Sequence, residues 1–184
     1  MNVEELYGRY CDCGCRVTTD SRAIKGGEMF FALKGEKFDG NDYVLSSLEA
    51  GALYAVADRA DLPDDKRIIK VEDAYCALRD LAVWHRTHIH GGNLPVIGLT
   101  GTNGKTTTKN LVSLVLACKY KVAATQGNFN NDIGVPLSLL GMRPDTEIAV
   151  IEMGANHPDD IAKLVKVCQP DYGLITNVGK AHLL

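Results

Sequence analysis

Short apolar runs alternate along this chain with stretches of helical periodicity, and each change of period is marked by Gly, Pro, Asp or Asn. In the first half the runs Arg16–Thr19, Glu28–Leu33, Leu53–Ala57 and Arg67–Val71 are short, rich in β-formers or apolar residues, and read as strands. Between them Val44, Leu45 and Leu48 share one helical face, and Gly51 is placed to end that helix. After the fourth run Ala74, Ala77, Leu78, Leu81, Ala82 and His85 recur at helical spacing, which predicts a helix to about His90. Gly91-Gly92-Asn93-Leu94-Pro95 then breaks the pattern and makes the strongest boundary in the sequence.

Beyond it the alternation is regular. Strands are expected at Val96–Thr100, Lys121–Thr125, Ile148–Glu152 and Tyr172–Thr176, and helices at Thr106 to about Lys119, Pro136–Gly141 and Pro158–Val167. Pro158 suits the first turn of the last helix, where its missing N–H is no loss. Apolar strands separated by helices predict a parallel sheet covered on both faces, with ligands at the carboxyl ends of the strands. The expected fold class is therefore α/β. A small N-terminal α/β domain over residues 1–92 is followed, over 93–184, by the first part of a P-loop parallel-sheet domain.

The junction of the strand Val96–Thr100 with its helix carries the clearest chemistry. Gly101, Thr102, Asn103, Gly104, Lys105, Thr106 and Thr107 form a glycine-rich loop in which backbone N–H groups and the positive end of a helix can receive phosphate oxygens. Lys105 would supply a point charge, and the Thr106 hydroxyl is placed to reach Mg2+ bridging those oxygens. These residues point to ATP. The string is a variant, since the first glycine of the usual eight-residue motif would fall at Leu99 and Gly98 stands one residue early. A solvated helix start is the competing reading of Gly-Lys-Thr by itself.

Bulk properties change this picture little. With 184 residues and 46% hydrophobic content the chain can bury a substantial core. A net charge of −3, with basic residues scattered among acids, gives no footprint for nucleic acid or an anionic membrane. No segment approaches the roughly 18 apolar residues of a membrane span, and the polar, acidic start Met1–Tyr10 is unlike a leader, so no membrane insertion and a cytoplasmic location are expected. Cys11, Cys13 and Cys15 alternate in a way that does not match structural zinc spacing, and they read as reduced thiols in a surface segment. His85, His88 and His90 read as a solvated helix end rather than a metal cluster.

Two further residues invite a role at the sheet edge. Glu152 closes an apolar strand, so its carboxylate would emerge beside the phosphate loop, where it can serve a magnesium ion or simply meet solvent. His182 follows the next strand, but imidazole is a less natural partner for magnesium than for zinc.

Several strings taken together resemble the Mur ligase family: Thr-Gly-Thr-Asn-Gly-Lys-Thr-Thr (100–107), Gly-Asn-Phe-Asn-Asn-Asp-Ile-Gly-Val-Pro-Leu (127–137), Glu-Met-Gly-Ala-Asn-His (152–157) and Asn-Val-Gly-Lys-Ala-His (177–182). Thr-Asp-Ser-Arg (19–22), Met-Phe-Phe-Ala-Leu-Lys-Gly (29–35) and Phe-Asp-Gly-Asn (38–41) look like that family's UDP-substrate domain. The phosphate loop is shared across the family, including its folylpolyglutamate branch. The two middle strings point to the branch that adds D-alanyl-D-alanine.

The resemblance implies ATP and Mg2+ as cofactors, with Gly101–Thr107 around the nucleotide and Thr106, Glu152 and His182 at the metal. It implies catalytic roles for Lys105, Glu152 and His182, and substrate contacts for Ser21, Asn128, Asn130 and Asn131, with Thr19, Asp20 and Arg22 less defined. Uncharged amides suit that contact because they donate to oxygens without adding charge, although Asn is also common in plain turns. Arg22 can serve a diphosphate or pair with a neighbouring acid.

The implied reaction joins D-alanyl-D-alanine to a UDP-N-acetylmuramoyl tripeptide through an acyl phosphate, in a monomer. A third, Rossmann-like domain that receives the amine, and a modified lysine, belong to the family's pattern and are not in these residues, so the chain is expected to be a fragment that binds without turnover. Met1–Cys15 matches nothing in that pattern. Another Mur-type or folylpolyglutamate-type ligase, or a non-catalytic nucleotide-binding module, stays open.

Overall fold

The computed structural model describes residues 1–179. The chain divides into two compact units, Met1–Trp84 and His85–Leu184. Each is built on a four-stranded, all-parallel sheet.

The first unit opens with helix α1 (Val3–Asp12), which the polar start of the sequence did not suggest. Its basis is local and strong. The Asn2 carboxamide accepts the Glu5 N–H at 2.8 Å, and the Glu5 carboxylate accepts the Asn2 N–H at 3.1 Å, a reciprocal cap that satisfies two orphan donors. Leu6 and Tyr10, four apart, form its buried stripe. The Cys11–Cys15 turn follows, and here the expectation of surface thiols fails in part: Cys13 is buried, and that burial pushes its pKa to about 12.

The sheet of the first unit runs in chain order, β1 (Val17–Thr18), β2 (Met29–Phe31), β3 (Tyr54–Ala57) and β4 (Ile68–Lys70). β2 is buried along its whole length, as the interior of a parallel sheet requires. Phe30, Ala32, Val44, Leu48, Ala55 and Ile68 form one core with helix α2 (Val44–Glu49). Truncating Phe30 to alanine would cost about 3–5 kcal/mol. Gly51, at φ +105°, ends α2 as its position in the sequence suggests.

Helix α3 (Ala74–His88) crosses from one unit into the other and ends in a kinked 3-10 turn, Ile89–Gly92, where His90 has φ +51°. Its last turn belongs physically to the second unit. The His85 ring nitrogen Nε2 lies 3.0 Å from the Met142 carbonyl oxygen, and His85 is 2% exposed, so it is a core residue rather than part of a solvated helix end. Burial holds its pKa below the usual histidine value. His88 and His90 are exposed.

The second sheet has the order β6-β7-β5-β8, built from β5 (Val96–Thr100), β6 (Val122–Ala124), β7 (Ile148–Glu152) and β8 (Tyr172–Ile175). Helices α4 (Lys105–Ala117), α5 (Gly134–Leu140) and α6 (Asp160–Cys168) connect them. α6 starts after Pro158 rather than at it, with Asp159 in the left-handed region as its N-cap. The buried Arg86 closes its other end, donating to the carbonyls of Cys168 at 3.3 Å and Gln169 at 3.0 Å and pairing with Asp171 at 2.9 Å. The same Asp171 carboxylate accepts the Val96 N–H, which fixes the start of β5.

From β5 the chain crosses one way to β6, and from β7 it crosses the other way, past β5, to β8. Right-handed crossovers, the rule for parallel strands, put their helices on opposite faces and open a crevice between the carboxyl ends of β5 and β7.

Candidate functional site

The turn leaving β5 is built on two glycines with positive φ. Gly101 has φ +142°, and a Cβ there would overlap the Thr176 hydroxyl. Gly104, at φ +77°, is the N-cap of α4 and offers no side chain to its first amides. The first intrahelical bond is Thr108 N–H to the Gly104 carbonyl, so the amides of Lys105, Thr106 and Thr107 have no partner within the helix.

The loop is held from outside by the segment after β8. Thr102 N–H donates to the Asn177 carbonyl at 3.1 Å, Asn103 N–H donates to the Asn177 carboxamide oxygen at 3.0 Å, and the Thr176 hydroxyl donates to the Asn103 carbonyl at 2.7 Å. The Thr102 hydroxyl is engaged with Gly179. The sequence pointed to every amide from Gly101 to Thr107 as a phosphate donor, but those of Thr102 and Asn103 already serve the loop itself. Among the described residues the amides of Lys105, Thr106 and Thr107 at the start of α4 stay open to an anion. The Lys105 ammonium lies over the same loop, 2.7 Å from the Gly101 carbonyl and 3.2 Å from that of Thr102.

Glu152 stands at the carboxyl end of β7, directly across the crevice. It is 1% exposed. Its Oε1 accepts from the Thr106 hydroxyl at 3.2 Å and from the Asn130 carboxamide at 2.9 Å, and its backbone N–H donates to the Thr125 hydroxyl at 2.9 Å. Its Oε2 is buried and has no hydrogen-bond partner among the described residues. A buried carboxylate oxygen left bare is costly. One carboxylate, one hydroxyl and one carboxamide, with that oxygen unsatisfied, fit a hard divalent cation that keeps several waters. The strand-end-in-solvent reading of Glu152 does not survive its burial.

The asparagine loop divides its work. Asn130 reaches Glu152, and its carbonyl accepts the Gly154 N–H at 2.7 Å, tying the loop to the chain after β7. The Asn131 carboxamide oxygen accepts the Gly134 N–H at 2.8 Å and so holds the first turn of α5, while Asn128 is exposed. Gly134 is required there because a Cβ would overlap the backbone of Phe129. His182 lies outside the described residues.

In the first unit Thr19, Asp20, Ser21 and Arg22 line a cleft of about 420 Å³ together with Phe30, Phe38 and Tyr43. Arg22 grips Asp20 through two nitrogens, at 2.9 and 2.8 Å, and this contact holds the Asp20 carboxyl down at about 2. Phe38 and Tyr43 are exposed apolar surface beside half-buried Ser21, a wall on which a flat ring can stack. A larger cavity, about 700 Å³, lies between α1, α3 and the ends of β3 and β4. Two of its charged groups are already paired: Asp58 with Lys34 and Asn41, and Arg59 with Asp42.

Four residues that the sequence did not single out prove structurally important here. Thr176 and Asn177 hold the loop, and Thr125 and Lys109 support Glu152 from below. A polar residue immediately after an apolar strand was the available signal for Thr125, Thr176 and Asn177. Lys109 gave none, because a lysine on a helix ordinarily reads as solvated.

Comparison with known proteins agrees with this geometry. The family model described as Mur ligase middle domain matches residues 99–183, and that described as Mur ligase family, catalytic domain, matches residues 16–87. The chain is 42% identical over 169 residues to the UDP-N-acetylmuramoyl-tripeptide--D-alanyl-D-alanine ligase of Bacillus subtilis, and 40% identical over 170 residues to that of Escherichia coli. Each match covers 91% of this chain and 36% of the relative, so the chain spans about a third of the length of these proteins. Among solved structures, MurF from Acinetobacter baumannii superposes with a TM-score of 0.82 at 40% identity, over 91% of this chain and 36% of that one. MurF from Thermotoga maritima, solved in complex with ADP, superposes with a TM-score of 0.80 at 39% identity, over 91% and 38%.

Proposed function

The chain belongs to the Mur ligase family, and on that premise we propose that it is the nucleotide-holding and UDP-substrate-holding part of an ATP-dependent ligase that adds D-alanyl-D-alanine to a UDP-N-acetylmuramoyl tripeptide. The observation that carries the reading is the meeting of Thr106 and Glu152 across the β5–β7 crevice, beside a helix start whose amides have no partner within the helix. Residues 93–184 would serve ATP and residues 1–92 the UDP end of the peptide substrate. The reaction would run in the cytoplasm, in a monomer.

In this reading the amides of Gly104–Thr107 and the Lys105 ammonium receive the outer phosphates of ATP. Lys105 leaves the carbonyls of Gly101 and Thr102 to do so. Thr106, Glu152 and, by family position, His182 would hold Mg2+, which when bound neutralises phosphate oxygens as charge develops on them. Asn130 keeps the Glu152 carboxylate turned into the crevice. Asn128 and Asn131 lie on the same loop as candidate substrate contacts, and Ser21, beside Asp20 and Arg22, would take the UDP end.

The peptide's terminal carboxylate forms a bond to the γ-phosphorus as the bond to the β-phosphate oxygen breaks, releasing ADP. The amine nitrogen of D-alanyl-D-alanine then adds to the acyl carbon, the carbon–oxygen bond to phosphate breaks, and the nitrogen loses its proton. A carboxylate and a triphosphate repel one another, so Lys105 and the amide array have to offset charge before the two can align.

The test is phosphate release and product formation by the protein that carries this chain, supplied with ATP, Mg2+, UDP-N-acetylmuramoyl tripeptide and D-alanyl-D-alanine. The reading expects activity that needs all four and is abolished by Lys105→Ala. Full activity in that variant, or preference for a folate or another amino substrate, would overturn it.

A further inference from the structure

One buried charge takes no part in the scheme above. Lys109 lies one turn beyond Lys105 on α4, is 5% exposed, and its ammonium makes a single hydrogen bond, 2.6 Å to the carbonyl of Thr125. No carboxylate pairs with it among the described residues. An ammonium held in the interior on one neutral acceptor is unfavourable, and a methionine of similar length would fill the same space without that penalty. Such conflicts between local preference and fold gather where function imposes them.

Thr125 shows what the contact holds. It is 1% exposed, sits immediately after β6, donates its N–H to the Val150 carbonyl at 3.1 Å, and accepts the Glu152 N–H on its hydroxyl. The loop that starts at the next residue delivers Asn130 to the Glu152 carboxylate. Helix α4 therefore reaches Glu152 twice, through the Thr106 hydroxyl directly and through Lys109 by way of Thr125.

We propose that Lys109 is a positioning residue for the cation site: by pinning the Thr125 carbonyl it fixes both the backbone that carries Glu152 and the root of the loop that carries Asn130. The inference rests on the proposed function, in which Glu152 faces a divalent ion. Outer partners of this kind orient the inner ligands, and their loss typically weakens metal binding about 10–100-fold.

The experiment measures Mn2+ affinity in the presence of ADP, from the electron paramagnetic resonance of free Mn2+, in the protein that carries this chain. Wild type is compared with Lys109→Met, Lys109→Arg, Thr125→Val, Thr125→Ser and the Lys109→Met/Thr125→Val double variant, with thermal melting alongside. The proposal expects Lys109→Met and Thr125→Val each to weaken Mn2+ by about tenfold or more. The double variant should be no weaker than the worse single, because the two residues share one path. Lys109→Arg and Thr125→Ser should recover part of the loss, and binding of ADP without the cation should stay unchanged. Unaltered Mn2+ affinity in a folded Lys109→Met, or full additivity in the double variant, overturns the proposal. If Lys109→Met does not fold, unaltered affinity in a folded Lys109→Gln overturns it equally. A wild-type protein that fails to bind Mn2+ with ADP would instead overturn the functional reading itself.

Discussion

Two sheets of the same size and the same parallel pairing do different things in this chain. In the first, the strands follow one another in order, β1-β2-β3-β4, so every crossover advances in one direction and the strand order never reverses. In the second, the order β6-β7-β5-β8 reverses at β5, and the two strands flanking the reversal carry the phosphate loop and Glu152. Topology, more than composition, decides where a parallel sheet can hold a ligand at its edge. The first unit instead shapes its cleft from loops, with Ser21 and Arg22 on one side and Phe38 and Tyr43 on the other.

The contrast can be broken at its strongest point first. Lys105→Ala or Glu152→Gln should lower ATP-dependent turnover at least about 100-fold, while affinity for a UDP-peptide ligand, measured by calorimetry, stays at the wild-type value. Equal losses of both would show that the two units do not divide the work as described.

Glycine substitutions sharpen it next. Gly101→Ala meets the Thr176 hydroxyl and a φ that alanine rarely adopts, so it should cost about 1–3 kcal/mol and remove nucleotide binding. Gly8→Ala, on α1 with nothing near its added Cβ, should instead stabilise the first unit by about 0.5–1 kcal/mol. Denaturant unfolding of both variants checks the opposite signs.

A pH effect should distinguish the units as well. The folded pKa of His85 lies below its unfolded value of about 6.5, so between the two the unfolded chain binds the extra proton and stability rises with pH. The contribution is complete above about pH 6.5 and is lost as pH drops toward the folded value. Unfolding of the second unit at pH 7.5 and 5.5 should show this loss, and His85→Gln should flatten it. Ser21→Ala is expected to weaken UDP-ligand binding by about 1 kcal/mol with nucleotide binding untouched.

Much of this was legible in the sequence, and the gaps have physical causes. The β5–loop–α4 junction and the strand ending at Glu152 are local patterns, and local patterns survive without a structure. α1 was legible too, in Asn2, Glu5, Leu6 and Tyr10, but the charge of the segment masked the cap and the stripe. His85 sat in the apolar stripe of its own helix, and its neighbours His88 and His90 suggested a solvent-facing end. The anchoring of the loop by Thr176 and Asn177 spans more than seventy residues, and the pairing that brings β7 beside β5 spans more than fifty. No spacing rule predicts contacts of that range. For the same reason Lys109 looked like surface.

Amide-resolved NMR titration of the protein with ADP and Mg2+ tests the central claim most directly. Ordering of phosphate at the β5–β7 crevice predicts large shifts at the Gly104, Lys105, Thr106 and Thr107 amides, with Thr19–Arg22 unmoved. Shifts centred on the cleft of the first unit, or none at the start of α4, would contradict it.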